Sequence, residues 1–477
     1  MPAEFSSIRS QLAAGPYAVA AGWALVDRGR GAELLRDACL IVRDGAFAEV
    51  GAGDPPDGLP LLDARAHLVL PGLISAHTHV AAGLPTRGTI ESGRPYMRPL
   101  ELMEQLAPDE IDTLTAANLA EMLRSGCTAQ FEMSLSRPQA DSYVRVAGRW
   151  GVRGWPAIMV PATDRLAHVW FRDSDSVLTD SVPQTVAETG ANLAFAHALA
   201  DRGDPLLLPM MAAHATDTQT PETLAALRRA LQDLDAPLHI HIAQRASERD
   251  TVHRLWGCSP VRLLEREGLL EGPVFGAHMT AVDWAADGPL LRDRGVVYVH
   301  CPSAGGAGVS SQPYPEALAA GVASAIGLDT HSNDAVENVK LAVIKGRVRA
   351  AALASCGCTD VRAPTIAEAV DSATRIPADG LGRADLGRIA PGARADFTAI
   401  DITGPLVGDA ALPPEPLHHL LYANGTAVSH VAVDGRLKLL HGRFLPEDEA
   451  LLRARAARIM NRLWESLAAE DWFAART

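Results

Sequence analysis

The chain has 477 residues, 48% of them hydrophobic, with a mean hydropathy of +0.05, so one large globular domain with a smaller companion is expected rather than a single core. Lys and Arg number 43 against 57 Asp and Glu, a net charge of −14 with no basic run, which argues against nucleic acid as a partner and for a solvated acidic surface. No apolar run of about 18 residues offers a membrane helix, Met1 to Pro16 lacks the pattern of a leader, and six scattered cysteines suit reduced thiols, so a cytoplasmic protein is expected.

From residue 16 to residue 66 the chain predicts short strands separated by Gly, Asp and Pro, with Ala38-Cys39-Leu40-Ile41-Val42-Arg43-Asp44-Gly45 the clearest strand and turn. Near the other end, Gly392-Ala393-Arg394-Ala395-Asp396 and Val433-Asp434-Gly435-Arg436 repeat that grammar. One small β domain built from both ends, residues 1–66 plus 387–445, is the economical reading.

Between them, residues 67–386 alternate short apolar runs with helical stretches, the pattern of βα units around a parallel sheet. The candidate strands are Val69 to His77, Thr128 to Met133, Gly154 to Val160, Leu206 to His214, Leu238 to Ala243, Val274 to His278, Val296 to Cys301 and Ala323 to Asp329. Eight such strands predict a (β/α)₈ barrel within an α/β fold. Thr220-Pro221 and Ser259-Pro260 each place an N-cap and a first-turn proline before an amphipathic run, the second stopped by Gly268. Residues 162 to 188 show no clean period and are expected to form a loop or lid over the barrel mouth. Residues 446–477 predict a C-terminal amphipathic helix carrying Trp464 and Trp472, packed on the barrel or serving an oligomer contact.

The stretch Leu70 to His79 carries the strongest chemical signal. His77 and His79 alternate at a strand end and so share a face. Taken alone they are half a metal site or two unrelated histidines. Other candidate strands, however, also end in potential ligands: His214, His241, His278 and Asp329. In such barrels reactive groups sit at the C-terminal ends of the strands. A divalent ion held by His77, His79, His241 and Asp329 would leave one position open and lower the pKa of a water there toward roughly 7. Asp329 is then the expected general base, with His278 bonding the nucleophile or the developing oxyanion.

His77-Thr78-His79 after Pro71-Gly72-Leu73-Ile74, together with His241, Ala277-His278, His300-Cys301-Pro302-Ser303 and Gly327-Leu328-Asp329, resembles the amidohydrolase superfamily. Within it the chain is similar to the branch of triazine hydrolases, guanine deaminases and related deaminases. The resemblance implies a distorted (β/α)₈ barrel with a flanking β-sandwich, one zinc or iron ion, and a small-molecule substrate. It implies a single ion because Ala213-His214-Ala215 offers no lysine to bridge two. His214 then matches a substrate-touching position, with a structural histidine the alternative.

One departure bears on mechanism. The family's deaminases carry a proton-shuttling glutamate three residues after the strand-five histidine, where this chain has Gln244. A glutamine binds substrate through hydrogen bonds yet relays no proton. Either Asp217 or Glu248 substitutes, or the reaction needs less leaving-group protonation. Ser303-Ala304-Gly305-Gly306 also lacks the family's asparagine.

His239 shares a face with His241 and is an alternative ligand one pleat deeper. His331 either lines the substrate pocket or caps the next helix. Arg87 reads as an anion site or a salt bridge, and Cys301 as strand packing. The expected function is metal-dependent hydrolysis of a non-peptide C–N bond, removing an amine or other leaving group from an N-heterocyclic or amidine-like molecule. Amide or dehalogenating hydrolysis, or a catalytically weakened ligand-binding relative, are the alternatives. A homodimer or higher homo-oligomer is expected.

Overall fold

Pro71-Gly72 is where the chain passes from one structural unit to the other. The computed structural model describes residues 9–12, 15–29, 31–88, 94, 97–307, 312–403 and 412–474. A Cβ on Gly72 would lie 2.1 Å from the Thr128 hydroxyl, and the Gly72 amide donates to the Asp396 carbonyl. Only glycine permits so close an approach.

On one side of that junction lie β1 (Tyr17–Asp27), β2 (Ala32–Arg43), β3 (Ala46–Ala52) and β4 (Leu61–Pro71). From the other chain end come β13 (Phe397–Asp401), β14 (Val428–Val433), β15 (Arg436–Leu440) and β16 (Arg443–Phe444). The two ends do build one unit. Its hydrogen bonding, however, forms one continuous sheet in the order β16-β15-β14-β13-β4-β1-β2-β3, with β1 and β4 parallel and the other pairs antiparallel. The amino-terminal part also runs to Pro71 rather than residue 66, because β4 pairs with β13 up to Pro71.

The barrel strands are β5 (Leu73–Thr78), β6 (Cys127–Ser134), β7 (Arg153–Ile158), β8 (Met211–Ala215), β9 (Leu238–Ile242), β10 (Val274–His278), β11 (Val297–His300) and β12 (Ser324–Ile326). All eight are buried along their length, as parallel strands covered on both faces must be. They pair in two parallel ladders, β5-β6-β7 and β8-β9-β10-β11-β12. Isolated parallel bridges span both seams, Gly154 with Leu207 and Thr78 with Asp329. The fold is therefore a distorted (β/α)₈ barrel, and its Thr78–Asp329 seam lies at the site.

Residues 162 to 188 are not a loop. They form the helices Thr163–Trp170 and Ser176–Asp180 and the start of Val182–Asp201. Leu166, Val169 and Leu178 are buried there, but segments this short give apolar spacing too few turns to show a period. The proline-started helices Pro221–Leu234 and Pro260–Arg266 form as expected, capped by the Thr220 and Ser259 hydroxyls. The helix Glu449–Ala469 buries Ile459, Met460, Leu463 and Leu467 against Leu102, Met103, Ile111 and Leu114, so its apolar stripe is spent on the barrel. Among the described residues no helix is long and apolar enough to cross a membrane.

One buried ion pair ties the units together. Arg153, at the start of β7, places its guanidinium on both Asp396 oxygens at 2.7 and 3.1 Å. Asp396 also accepts from the Asp434 amide at 2.7 Å, and Arg394 pairs with the Asp434 carboxylate. The two turn motifs of the small domain thus meet around a barrel arginine.

Candidate metal centre and active site

Five side chains from four strand ends converge at the C-terminal mouth. Candidate ligand atoms of His77, His79 and His241 lie within 4.8 Å of one another, as do those of His77, His278 and Asp329. Asp329 Oδ1 stands 3.9 Å from His77 Nε2 and 3.8 Å from His79 Nε2, and its Oδ2 is 3.8 Å from His278 Nε2. Each of these side chains is buried or nearly so.

Backbone geometry turns them inward. His278 and Asp329 adopt left-handed conformations with φ of 73° and 58°, and Ala243, just before Gln244, has φ 46°. Such conformations cost on the order of 1–3 kcal/mol each and persist only where surrounding structure imposes them. Here the Leu328 and Asp329 amides both donate to the His77 carbonyl at 3.0 and 2.9 Å. Gly327 makes room beside them, because a Cβ there would lie 2.8 Å from His77 Cβ.

The donor set fits a divalent ion. Burial holds the pKa values of His77 and His241 well below the usual imidazole value and lowers that of His79, so all three rings are neutral and carry lone pairs. His79 donates its Nδ1–H to the Met133 carbonyl at 2.6 Å, and His241 donates to the His214 carbonyl. Both bonds leave Nε2 as the acceptor facing the centre. His77 Nδ1 pairs with His239 Nε2 at 2.9 Å, while His77 Nε2 is buried with no hydrogen-bond partner, an orphan that a cation would satisfy. His239, one pleat deeper on β9, is thus a hydrogen-bond partner of His77 and belongs to neither group of candidate ligand atoms.

Above the cluster lies a cavity of about 290 Å³. His79, His214, His241, Gln244, His278 and Asp329 give it a polar floor, and Leu100, Leu135, Met159, Leu166 and Trp170 give it apolar walls. His214 meets the edge of Trp170 at 4.6 Å and holds Thr218 through Nδ1, with burial lowering its pKa to about 3. Arg245 stacks over Trp170 with its guanidinium carbon 4.0 Å from the ring centroid, a cation–π contact. Nothing in the sequence pattern singled out Trp170 or Arg245.

Several expected residues lie elsewhere. Glu248 does not line the cavity. It sits in the first turn of the helix Ala246–Trp256 and accepts from the Ala243 and Gln244 amides at 2.9 and 2.7 Å and from the Thr216 hydroxyl. A carboxylate so placed caps free backbone N–H groups, and burial pushes its pKa up to about 8. Asp217 faces an outer cleft with Arg172 and Arg245. Among the described residues lining the cavity, Asp329 is the one carboxylate. His331 is not on the cavity wall either. Arg87 pairs with Glu121 at 2.7 Å, the salt bridge rather than the anion site. Cys301 is buried, with its thiol pKa pushed well up by burial, as packing requires. Residues 81–108, expected from the sequence to help shape the pocket, include the helices Gly83–Thr86 and Met97–Met103, while residues 89–93 and 95–96 lie outside the described residues.

Eight parallel strands whose ends present three imidazoles grouped closely enough to share an ion, a carboxylate and a fourth histidine define a metal-dependent barrel hydrolase. The chain belongs to the Amidohydrolase family, which matches residues 68–438, and is a hydrolase acting on non-peptide carbon–nitrogen bonds. It is 30% identical over 444 residues to a 5-methylthioadenosine/S-adenosylhomocysteine deaminase of Nitratidesulfovibrio vulgaris, covering 88% of this chain and 92% of that one. Among solved structures it is similar to an adenosine deaminase from Xanthomonas campestris with bound zinc, with a TM-score of 0.72, 24% identity, and 94% and 98% of the two chains covered. It also resembles an atrazine chlorohydrolase from Arthrobacter aurescens complexed with zinc, with a TM-score of 0.78, 21% identity, and 93% and 100% covered.

Proposed function

We propose that the protein removes an exocyclic amino group from a planar N-heterocycle by hydrolysis, releasing ammonia. The observation that carries this reading is one cavity that joins the His77–His79–His241–Asp329 cluster to apolar walls ending in Trp170, a slot suited to a flat ring. Relatives named as deaminases support it.

His77, His79, His241 and Asp329 are the residues that would hold the ion. When bound, it supplies Lewis acidity and activates water at neutral pH. Asp329 accepts the proton of the attacking water and, as the cavity's carboxylate, returns one to the departing nitrogen. His278 bonds the oxygen that adds to the ring carbon, while Gln244 and His214 bind the ring edge. In balance, water gives its oxygen to carbon, the C–N bond breaks, and both water protons end on ring product or ammonia.

Gln244 favours one second reading. With a glutamine where the family's deaminases have an acid, a leaving group that departs as an anion, such as halide, needs no second proton donor. We also infer a cytoplasmic, homo-oligomeric protein. Six free thiols accord with a reducing compartment, and the exposed Ile344, Val348 and Tyr422 accord with a partner surface. A panel of amino-purines, amino-pyrimidines and amino- or chloro-triazines, assayed for both ammonia and chloride release, tests the function. Ammonia from at least one amino-ring is expected. Chloride release alone would establish the second reading, and neither product from any ring would overturn both.

A further inference from the structure

We infer that Gln312 is a positioning residue that sets the tautomer of His278, keeping Nδ1 bare and the proton on Nε2, the nitrogen that faces the site. Gln312 is buried and lines the same cavity as His278, and its amide has one permitted orientation. Its Oε1 lies 2.7 Å from the backbone amide of Cys301 and 3.0 Å from His300 Nδ1. A backbone N–H only donates, so the oxygen must face it; inverting the amide would set two donors against each other. The NH₂ group is thereby turned toward His278, whose Nδ1 stands 3.2 Å away. That N–H requires an acceptor. In a neutral imidazole one nitrogen accepts and the other carries hydrogen, so His278 holds its proton on Nε2.

The consequence is a division of labour among histidines of the same cluster. His79 and His241 donate from Nδ1 to backbone carbonyls and present lone pairs inward. His278 has the reverse polarity. Its Nε2 is buried without a hydrogen-bond partner, 3.8 Å from Asp329 Oδ2, and so offers a donor to an oxygen arriving in the site. That is a hydrogen-bond donor's role, and a ligand's or base's role is closed to it. Space for the glutamine comes from Gly305, where a Cβ would lie 2.9 Å from Gln312 Cγ. Gln312 sits a dozen residues beyond β11 in a segment without periodicity, so its partnership with His278 is legible only in three dimensions.

The inference rests on His278 acting as a donor in the proposed reaction, and its test reads the proton itself. Zinc-loaded protein labelled with [¹⁵N]histidine is studied by long-range ¹H–¹⁵N correlation spectra, with His278 assigned by loss of its signals in His278→Asn. Wild type is expected to show protonated Nε2 and bare Nδ1. In Gln312→Glu, nearly isosteric but able only to accept, Nδ1 is expected to become protonated. Zinc content should be unchanged, while turnover of whichever ring the panel identifies falls about tenfold or more with little change in KM. A bare Nε2 in the wild-type spectrum would overturn the inference, even if the variant folds poorly. So would a Gln312→Glu spectrum identical to wild type. Failure of the deaminase assay leaves this readout intact.

Discussion

His239 Nε2 lies 2.9 Å from His77 Nδ1, with the two rings edge to face at 4.8 Å between centroids and both fully buried. Both histidines point into the barrel at different depths, so the deeper one orients the shallower. Partners of this kind are worth about 10–100-fold in metal affinity or activity. His239→Phe, which keeps the bulk and removes the hydrogen bond, is therefore expected to weaken zinc affinity by about that factor. Competition against a fluorescent chelator measures it. An unchanged affinity would reduce His239 to packing.

Gln244→Glu restores a carboxylate to the cavity floor. We expect faster ammonia release from at least one amino-ring and little change in any reaction whose leaving group departs as an anion. Steady-state kinetics across the same panel check this, and no gain on any ring would remove the proton-relay argument.

The Arg153–Asp396 pair yields a prediction about stability. Arg153 is 1% exposed, and its guanidinium meets Asp396 at two points. Removing Asp396 leaves the buried guanidinium only the longer contact to Asp434 Oδ1 at 3.5 Å, and breaking a buried pair in this way costs up to about 3–5 kcal/mol. Asp396→Ala should lower the thermal midpoint sharply, by calorimetry, and Arg153→Met on that background should recover part of the loss. A recovery of zero would mean that the carboxylate stabilises mainly through the Asp434 amide.

Much of this architecture was legible beforehand because it is written in local pattern. Apolar runs ending in His77, His241, His278 and Asp329 mark strands with chemistry at one end, and similar turn grammar at both termini marks a shared domain. What stayed hidden depends on pairings across the fold. Arg153 and Asp396 are far apart in the chain and share no period. Gln312 and His278 meet only because the amide is pinned by Cys301. Glu248 reads as a spare acid in sequence, but its position in the first turn of a helix commits it to backbone amides. The left-handed strand ends at Ala243, His278 and Asp329 leave no compositional trace, since none of the three is glycine.

Acid should loosen the small domain. His430 is buried beside His67 and His441, with ring centroids 5.2 and 4.7 Å away, and burial lowers its pKa from 6.5 to about 3. Between those values the unfolded chain binds a proton that the native state refuses. Stability is therefore intact above about pH 6.5 and declines as pH falls toward 3, by up to roughly 1.4 kcal/mol per unit for this group. His430→Leu removes that penalty. The gap in thermal midpoint between wild type and variant should shift toward the variant from pH 7.5 to pH 4.5, and parallel curves would exclude His430 as a contributor.

The central claim is one divalent ion shared by His77, His79, His241 and Asp329. Its most direct test is metal per chain by inductively coupled plasma mass spectrometry on purified wild type and on the His77→Ala/His241→Ala double variant, with folding checked by circular dichroism. The account predicts about one equivalent of zinc or iron in wild type and almost none in the folded variant. Stoichiometric metal retained by the variant, or a metal-free wild type that still hydrolyses its substrate, would contradict it.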